Sequence, residues 1–113
     1  MTSLCNDVSV PPTDIAFSAV LGVLAEPTRA RIIRALAEQD LCTCHLVAIT
    51  GQMQTNISNH LRALRDAGVV ESEAAGRFTY YRLVPEVLEA AADTLAGLAA
   101  SARSVSGRRA ACP

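Results

Sequence analysis

Residues 42–68, CTCHLVAITGQMQTNISNHLRALRDAG, decide the fold. Their first part predicts a short helix that begins near Cys42 and ends at Gly51, because glycine readily takes the left-handed backbone of a helix end. A second helix starts around Met53 or Gln54 and ends at Gly68. The apolar residues expected to face inward are Leu46, Val47 and Ile49 in the first helix and Ile57, Leu61 and Leu64 in the second. Two helices joined by a tight glycine turn form a helix-turn-helix.

Two helices precede this motif, and a β-hairpin and a further helix follow it. The first helix lies within residues 13–25, and the second, opened by a proline, spans about residues 27–39, with its arginines on the solvent side. Residues 69–73 and 78–84 predict two strands, the second of them rich in aromatic and β-branched residues. Pro85 opens the last helix. The order α-α-α-α-β-β-α is that of a winged helix-turn-helix, a mainly α fold with a small β-hairpin.

One domain, residues 13–100, is expected between a flexible arm, residues 1–12, and a flexible tail, residues 101–113. A chain of 113 residues is long enough for one compact domain and too short for two well-buried ones. The last helix is so apolar on one broad face that it needs a partner surface. Dimerisation is the simplest way to supply that surface.

The charge of the chain excludes some functions and leaves others open. The net charge of −1 gives no global support to nucleic-acid binding, so a local distribution of charge must supply it. All ten basic residues are arginine, which excludes a lysine nucleophile. The two histidines fit no set of nucleophile and base, so a thiol enzyme is disfavoured.

No apolar run approaches the roughly 18 residues of a membrane span, and a cytoplasmic protein without membrane contacts is expected.

The second helix of the helix-turn-helix is suited to contact DNA. Residues 52–65 contain no acidic side chain, so the part of this helix expected to face DNA carries no group that repels phosphate. Gln54, Thr55, Asn56 and Asn59 are the candidates for contact with bases, Ser58 and Arg62 for contact with the DNA backbone, and Arg77 at the hairpin tip for the minor groove. The alternative is a polar helix face that is merely solvated. The order of the elements favours DNA recognition.

Cys42 and Cys44 form a C-x-C pair where the short helix begins. Unsatisfied backbone N–H groups at a helix start favour the thiolate form, and thiolates select soft ions such as As(III), Sb(III), Cd(II), Pb(II) or Zn(II). In an unbroken helix these two positions lie about 200° apart, so a shared ion requires the helix start to distort. Two alternatives remain open, namely a purely structural role as small apolar residues and reversible oxidation of the thiols.

Several motifs in one order resemble a known family, the ArsR/SmtB winged-helix metalloregulators. The resemblance covers roughly residues 15–100 and includes the Leu-Cys-x-Cys-x-Leu pattern of the arsenic- and cadmium-type members. The motifs are Glu26-Pro27-Thr28-Arg29, Asp40-Leu41-Cys42-Thr43-Cys44-His45-Leu46, Gln54-Thr55-Asn56-Ile57-Ser58-Asn59-His60-Leu61, Asp66-Ala67-Gly68-Val69-Val70 and Gly76-Arg77-Phe78-Thr79-Tyr80-Tyr81-Arg82-Leu83. The resemblance implies a homodimer formed through the first and last helices. It also implies a repressor that binds operator DNA when metal-free and is released when a soft ion, As(III) foremost, binds the cysteines.

The sequence does not identify the third ligand of such an ion. Val47 stands where arsenic-type members often carry a third nearby cysteine. Cys5 on the N-terminal arm resembles an additional cysteine of the cadmium-type members and ranks slightly above Cys112 on the tail, while His45 is a weaker candidate. The last helix contains no histidine, so the zinc site that other members build there is not expected. No organic cofactor is expected, and a redox-sensing repressor that uses the same cysteines is the alternative function.

Overall fold

The computed structural model describes residues 12–112. Its helices are α1 (Pro12–Leu24), α2 (Pro27–Leu36), α3 (Thr43–Thr50), α4 (Gln54–Asp66) and α5 (Pro85–Ser104). Its strands are β1 (Leu41–Cys42), β2 (Val70–Ala75) and β3 (Phe78–Leu83), in the sheet order β1-β3-β2. The predicted order of helices and hairpin is confirmed, with one additional strand.

The additional strand is β1, which the sequence pattern did not indicate because two residues are too few to show a periodicity. It pairs antiparallel with β3, so that Leu41 lies opposite Tyr81 and Cys42 lies opposite Tyr80. Leu41 and Cys42 are both buried. The hairpin therefore joins the helix-turn-helix through backbone pairing, and the sheet has three strands rather than two.

Two predicted boundaries were wrong. α2 ends at Leu36, three residues earlier than expected, where the N–H of Glu38 bonds to the carbonyl of Ala35 at 3.2 Å and tightens the last turn. α5 continues to Ser104, into the segment expected to be a flexible tail. That segment contains no proline and no glycine before Gly107, so the alanine-rich helix has no local reason to stop at residue 101.

The core is built from aliphatic side chains of all five helices, of β1 and of the start of β2, because few aromatic residues are present to fill it. The fully buried large side chains are Ile32, Leu46, Ile57, Leu61, Leu64 and Val69. The inward face of α4 predicted from the spacing of its leucines is confirmed. Gly68 has a φ of +78° after the last turn of α4, as expected for the residue that ends that helix.

Three kinds of interaction hold the turn between α3 and α4. Gly51 has a φ of +71° and caps α3 in the left-handed conformation, which confirms the predicted turn. The hydroxyl of Thr50 donates to the carbonyl of Leu46 at 2.7 Å and accepts the N–H of Gln52 at 3.2 Å. From α2, Arg31 donates to the carbonyl of Ile49 at 3.0 Å. The α3–α4 geometry is thus held by α2 as well as by its own turn.

α1 and α5 pack against each other at the edge of the domain. Large apolar side chains on these two helices are exposed in the single chain, namely Ile15, Leu21, Leu95 and Leu98. A cleft of about 320 Å³ lies between the two helices and is lined by Phe17, Val20 and Ala91 among others. None of the helices in residues 12–112 is both long enough and apolar enough to cross a membrane.

Candidate metal centre and nucleic-acid interface

The two cysteines face each other because they belong to different backbone conformations. Cys42 is the N-cap of α3 and has an extended backbone, with φ −88° and ψ 169°, whereas Cys44 lies inside the first turn. Their Cα atoms are 5.5 Å apart, and their sulfurs are joined as a disulfide. The expectation that the two cysteines lie about 200° apart on one unbroken helix was therefore wrong. That expectation assumed an unbroken helix through both residues, and Cys42 belongs to β1.

His45 completes a cluster with this pair. Its Nδ1 lies 3.0 Å from the sulfur of Cys42 and accepts the backbone N–H of Cys42 at 3.3 Å. An Nδ1 that accepts a hydrogen bond is unprotonated, as a metal ligand must be, and coordination of an ion through Nδ1 would replace this bond from Cys42. One donor atom from each of Cys42, Cys44 and His45 lies within 4.8 Å of the others. We call these three residues the thiolate cluster.

The structure does not bring Cys112 to the thiolate cluster. Cys112 is exposed on the segment that follows α5, and the group of Cys42, Cys44 and His45 includes no further ligand-type residue from the described part of the chain. Cys5 lies outside the described residues. His45, ranked last from the sequence, is three residues after Cys42, and that spacing puts the two side chains on one face of a helix start. This spacing was the available signal for His45.

A cleft of about 300 Å³ connects the thiolate cluster with the elements expected to contact DNA. It is lined by Cys42, Thr43, Cys44, Gln54, Arg77, Phe78, Thr79 and Tyr81. Gln54 is the first residue of α4, and Arg77 follows the left-handed Gly76 at the turn between β2 and β3. The ion-binding candidates and the two ends of the candidate DNA surface therefore share one concave region.

All seven residues predicted to contact DNA are exposed to solvent, six on α4 and Arg77 on the hairpin. The side-chain amide of Asn56 donates to Gln52 at 3.3 Å, which orients it at the start of α4. In residues 12–112 neither Arg62 nor Arg77 forms an ion pair with a carboxylate. The exposed side of α4 therefore has donors, acceptors and a cation available for a nucleic acid.

The acidic residues of the hairpin are partly neutralised by one arginine. Arg82 of β3 pairs with Asp40 at 3.6 Å, with Glu71 at 3.9 Å and, in a still closer contact, with Glu73. These groups are exposed, so the pairs stabilise the fold little. Their effect is to leave the cation of Arg77 as the uncompensated charge at the tip of the hairpin.

Sequence reasoning missed the roles of two arginines of α2, which it assigned to a solvated face. Arg31 reaches the end of α3, and Arg29 reaches α4, where its Nε donates to Nδ1 of His60 at 3.1 Å. Both contacts join residues at least 18 positions apart in the chain. A helical periodicity reports only which side an arginine occupies, so no local pattern could identify these partners.

The comparison with known proteins identifies the family. The family model described as bacterial regulatory protein, arsR family, matches residues 26–72, from the start of α2 into β2. The ArsR-like transcriptional regulator from Rhodococcus sp. RHA1 superposes with a TM-score of 0.74 and 30% identity, over 80% of this chain and 86% of that chain. The chain belongs to the arsR family.

Two curated relatives of this arsR-family protein carry arsenic in their names. The arsenic resistance transcriptional regulator ArsR1 of Pseudomonas putida is 44% identical over 69 residues, 60% of this chain and 54% of the relative. The arsenical resistance operon repressor of Escherichia coli is 38% identical over 66 residues, 58% of this chain and 56% of the relative. The chain thus spans about half the length of the curated relatives it matches.

A second solved structure shares the fold. The homodimeric winged helix-turn-helix DNA-binding domain of a possible ArsR-family transcriptional regulator from Mycobacterium bovis superposes with a TM-score of 0.63 and 26% identity, over 85% of this chain and 88% of that chain. The fold of this arsR-family protein is a winged helix-turn-helix, with the β2–β3 hairpin as the wing. The family consists of transcriptional regulators rather than enzymes.

Proposed function

We propose that this arsR-family protein is a transcriptional repressor that binds operator DNA as a homodimer and leaves it when a soft metal or metalloid ion, As(III) foremost, binds Cys42 and Cys44. One observation carries the proposal: Cys42 and Cys44, whose sulfurs lie close to the imidazole of His45, line a cleft that is also lined by the first residue of α4 and by the wing. The ligand site and the DNA surface therefore border the same cleft.

The exposed side of α4 supplies the DNA contacts. Gln54, Thr55, Asn56 and Asn59 offer amide and hydroxyl groups to base edges in the major groove, since the first residues of a recognition helix approach the bases. Ser58 and Arg62 contact the phosphate backbone, and Arg77 contacts the minor groove from the wing tip. All seven side chains are exposed, and no acidic residue lies between residues 52 and 65.

The dimer forms through α1 and α5. Their exposed apolar side chains include Ile15, which is 58% exposed, and Leu98, which is 59% exposed. In a monomer both side chains would remain in contact with water. Each large aliphatic side chain that becomes fully buried contributes about 1.5–3 kcal/mol. The homodimeric state of the Mycobacterium bovis relative supports a dimer, and the exposed apolar faces of α1 and α5 are the surfaces proposed to form it. Two copies of α4 would then contact two half-sites of an operator.

The thiolates of Cys42 and Cys44 supply the soft ligands for the ion. Ligand bonds of about 2.0–2.3 Å keep the donors of one ion within about 4.6 Å of each other, close to the 4.8 Å that encloses the donors of the thiolate cluster. With the disulfide reduced, Cys44 and His45 are exposed and their side chains can rotate toward an ion held by Cys42. His45 is the nearest third donor, and Cys5 or Cys112 is the alternative.

Binding of the ion and binding of DNA weaken each other because both involve the shared cleft. An ion held at Cys42 and Cys44 changes the charge and occupancy of the space beside Gln54 and Arg77, two of the side chains assigned to DNA. A ligand that binds better to the DNA-free state must weaken DNA binding by the same factor by which DNA weakens ligand binding. Release of the operator follows from this reciprocity.

The test is fluorescence anisotropy of a labelled fragment from upstream of the gene for this protein, at fixed salt and with a non-thiol reductant. Arsenite, antimonite, cadmium and zinc are added separately to the preformed complex. We expect tight DNA binding that one soft ion reverses, and no reversal in Cys42→Ser and Cys44→Ser proteins that still bind DNA. If arsenite and the other ions released both serine variants as readily as the wild type, the ion site would lie elsewhere.

A redox-sensing repressor is the second candidate, favoured by the contact between the two sulfurs. Oxidation by a peroxide would convert the two thiols to a disulfide, while the peroxide takes up two electrons and two protons and leaves as water and an alcohol or a second water. The reversible loss of DNA binding after peroxide, restored by reductant, would support this candidate. Equal DNA affinity of the oxidised and reduced proteins would exclude it.

A further inference from the structure

A polar cluster lies where α1 ends, α2 begins and α4 passes, remote in sequence from the thiolate cluster. Its members are Glu26, Arg29 and His60. The carboxylate of Glu26 caps α2 by accepting the backbone N–H groups of Thr28 at 3.1 Å and Arg29 at 3.0 Å. Glu26 is thereby fixed by the backbone and offers a stationary negative charge to whatever lies beside it.

Arg29 links the three helices. Its Nε donates to Nδ1 of His60 on α4 at 3.1 Å, and its Nη1 donates to the carbonyl of Val23 in the last turn of α1 at 3.5 Å. His60 therefore attaches α4 to the corner between α1 and α2. This polar attachment supplements the apolar packing of Ile57, Leu61 and Leu64, which lie on the buried side of α4.

The hydrogen bond from Arg29 defines the protonation state of His60. A guanidinium N–H can only donate, so Nδ1 of His60 must accept and the ring must be neutral with its proton on Nε2. The ring is only 20% exposed, and the groups that face it are the guanidinium of Arg29 and, at 3.6 Å, the carboxylate of Glu26, both from the start of α2. α1 contributes the carbonyl of Val23 to the same cluster and no charged side chain.

We propose that His60 is a positioning residue for DNA recognition: its neutral ring, held by Arg29, sets the orientation in which α4 presents its polar side to DNA, and protonation of the ring releases that hold. His60 directly follows Asn59 and lies one turn after Asn56, two of the residues assigned to base contact. The inference rests on the proposed function, because it concerns the same DNA surface.

Protonation of His60 replaces its hydrogen bond from Arg29 with an attraction to Glu26. With a proton on Nδ1, the ring can no longer accept from Arg29 and becomes a cation beside a guanidinium, while it gains an attraction to the Glu26 carboxylate. The hydrogen bond by which Arg29 holds α4 is then lost. Histidine is the side chain that ordinarily changes charge between about pH 5 and pH 8. DNA affinity therefore falls on acidification, opposite to the rise expected if a protonated His60 contacted phosphate.

The test is a pH series of operator anisotropy with reduced, metal-free full-length protein at fixed salt. The variants are His60→Asn, whose side-chain oxygen replaces Nδ1 as an acceptor and does not titrate, and His60→Phe, which offers no acceptor. We expect the Kd of the wild type to rise by about tenfold from pH 8 to pH 5.5. The Kd of His60→Asn should match that of the wild type at pH 8, and its rise between pH 8 and pH 5.5 should be less than about half the rise seen in the wild type. His60→Phe should bind the operator weakly at every pH in the series.

A second measurement examines the hydrogen bond in the free protein. The ¹⁵N chemical shifts of the His60 ring at pH 8 should identify an unprotonated Nδ1 and a protonated Nε2. A proton on Nδ1 at that pH would overturn the proposal, as would wild-type affinity that rises on acidification or a His60→Phe protein with wild-type affinity at pH 8. Failure of the wild type to bind the fragment at any pH would instead overturn the proposed function, and this inference with it.

Discussion

Cys42 lies directly opposite Tyr80 in the antiparallel pairing of β1 with β3. One of the two candidate thiolate ligands is thus part of the same sheet as the wing, and its partner Cys44 lies in the first turn of α3. A change of ligand state at the cysteines acts at the junction between the wing and the helix-turn-helix. No long path through the core is required to carry it to the DNA surface.

Removing a base contact and removing a phosphate contact should have different signatures. Asn59→Ala is expected to cost about 1–3 kcal/mol on the operator and to relax discrimination at one base pair, because an amide that reads a base edge is lost. Competition binding against operator variants with single base-pair changes measures this loss. An equal loss on operator and unrelated DNA would assign Asn59 to the backbone instead.

Arg62→Gln should weaken operator and unrelated DNA alike. Loss of one phosphate contact reduces the slope of log K against log salt by about 0.9 per protomer. The slope is measured by anisotropy at several salt concentrations. Arg34→Gln, an exposed change of the same charge on α2, is the matched control and should leave the slope unchanged.

The third ligand can be identified by comparing three variants. His45→Asn keeps an acceptor for the N–H of Cys42 but offers no imidazole to an ion, so it should lower cadmium affinity by at least about tenfold, the loss typical even of a residue that only supports a metal ligand. Thiolate-to-metal absorption measured in competition with a chelator reports the affinity. A larger loss in Cys5→Ser or Cys112→Ser than in His45→Asn would make a terminal cysteine the third ligand.

Placing a charge on the exposed apolar side of α5 should dissociate the dimer. Leu98→Glu removes one apolar side chain from each of the two protomers, each contributing up to about 1.5–3 kcal/mol on full burial, which raises the dimer Kd by more than about tenfold before the cost of burying the charges is counted. Sedimentation velocity over a concentration series measures the change. Ala100→Glu, exposed on another side of the same helix, is the control. If both variants sedimented as the wild type, the interface would lie elsewhere.

The N-cap of α2 should make part of the stability depend on pH. The backbone N–H of Thr28, with that of Arg29, holds the pKa of Glu26 below its ordinary value. A lowered pKa in the folded state means that the contribution is present above the ordinary Glu pKa of about 4.3 and is lost as the pH falls through the folded value. Glu26→Gln should therefore lower the Tm at neutral pH.

The loss of Tm in Glu26→Gln should shrink as the solution is acidified below about pH 4. Thermal unfolding followed by circular dichroism at a series of pH values measures it. Glu38→Gln, at an exposed position just after α2, provides the comparison. A Tm difference between wild type and Glu26→Gln that stayed constant down to about pH 3 would show that the carboxylate charge of Glu26 does not stabilise the cap.

Local signals in the chain were sufficient for most of the fold. The glycines at positions 51 and 68 mark two helix ends, and the three- and four-residue spacing of Ile57, Leu61 and Leu64 defines the buried side of α4. Each of these signals depends on backbone preference or on periodicity, both of which act over a few residues. The polar side of α4 followed from the same periodicity.

The missed features depend on contacts between distant residues. β1 exists because Leu41 and Cys42 meet β3 about forty positions further along the chain, and a two-residue strand has no stability of its own. The same pairing holds Cys42 in an extended conformation, which turns its sulfur toward Cys44 and His45. A helical projection of residues 42–45 could not show this arrangement.

The sequence by itself determined the winged-helix order, the polar surface of α4 with no acidic residue between positions 52 and 65, and the soft-ligand character of the cysteine pair, because these follow from residue type and local spacing. Only the tertiary structure decided which groups meet. It brought His45 to the cysteines, opened the cleft they share with Gln54 and Arg77, and joined Arg29 to His60. The physical reason is that a side chain's partner across the fold is set by how helices and strands pack, and packing sums many weak contacts from the whole chain.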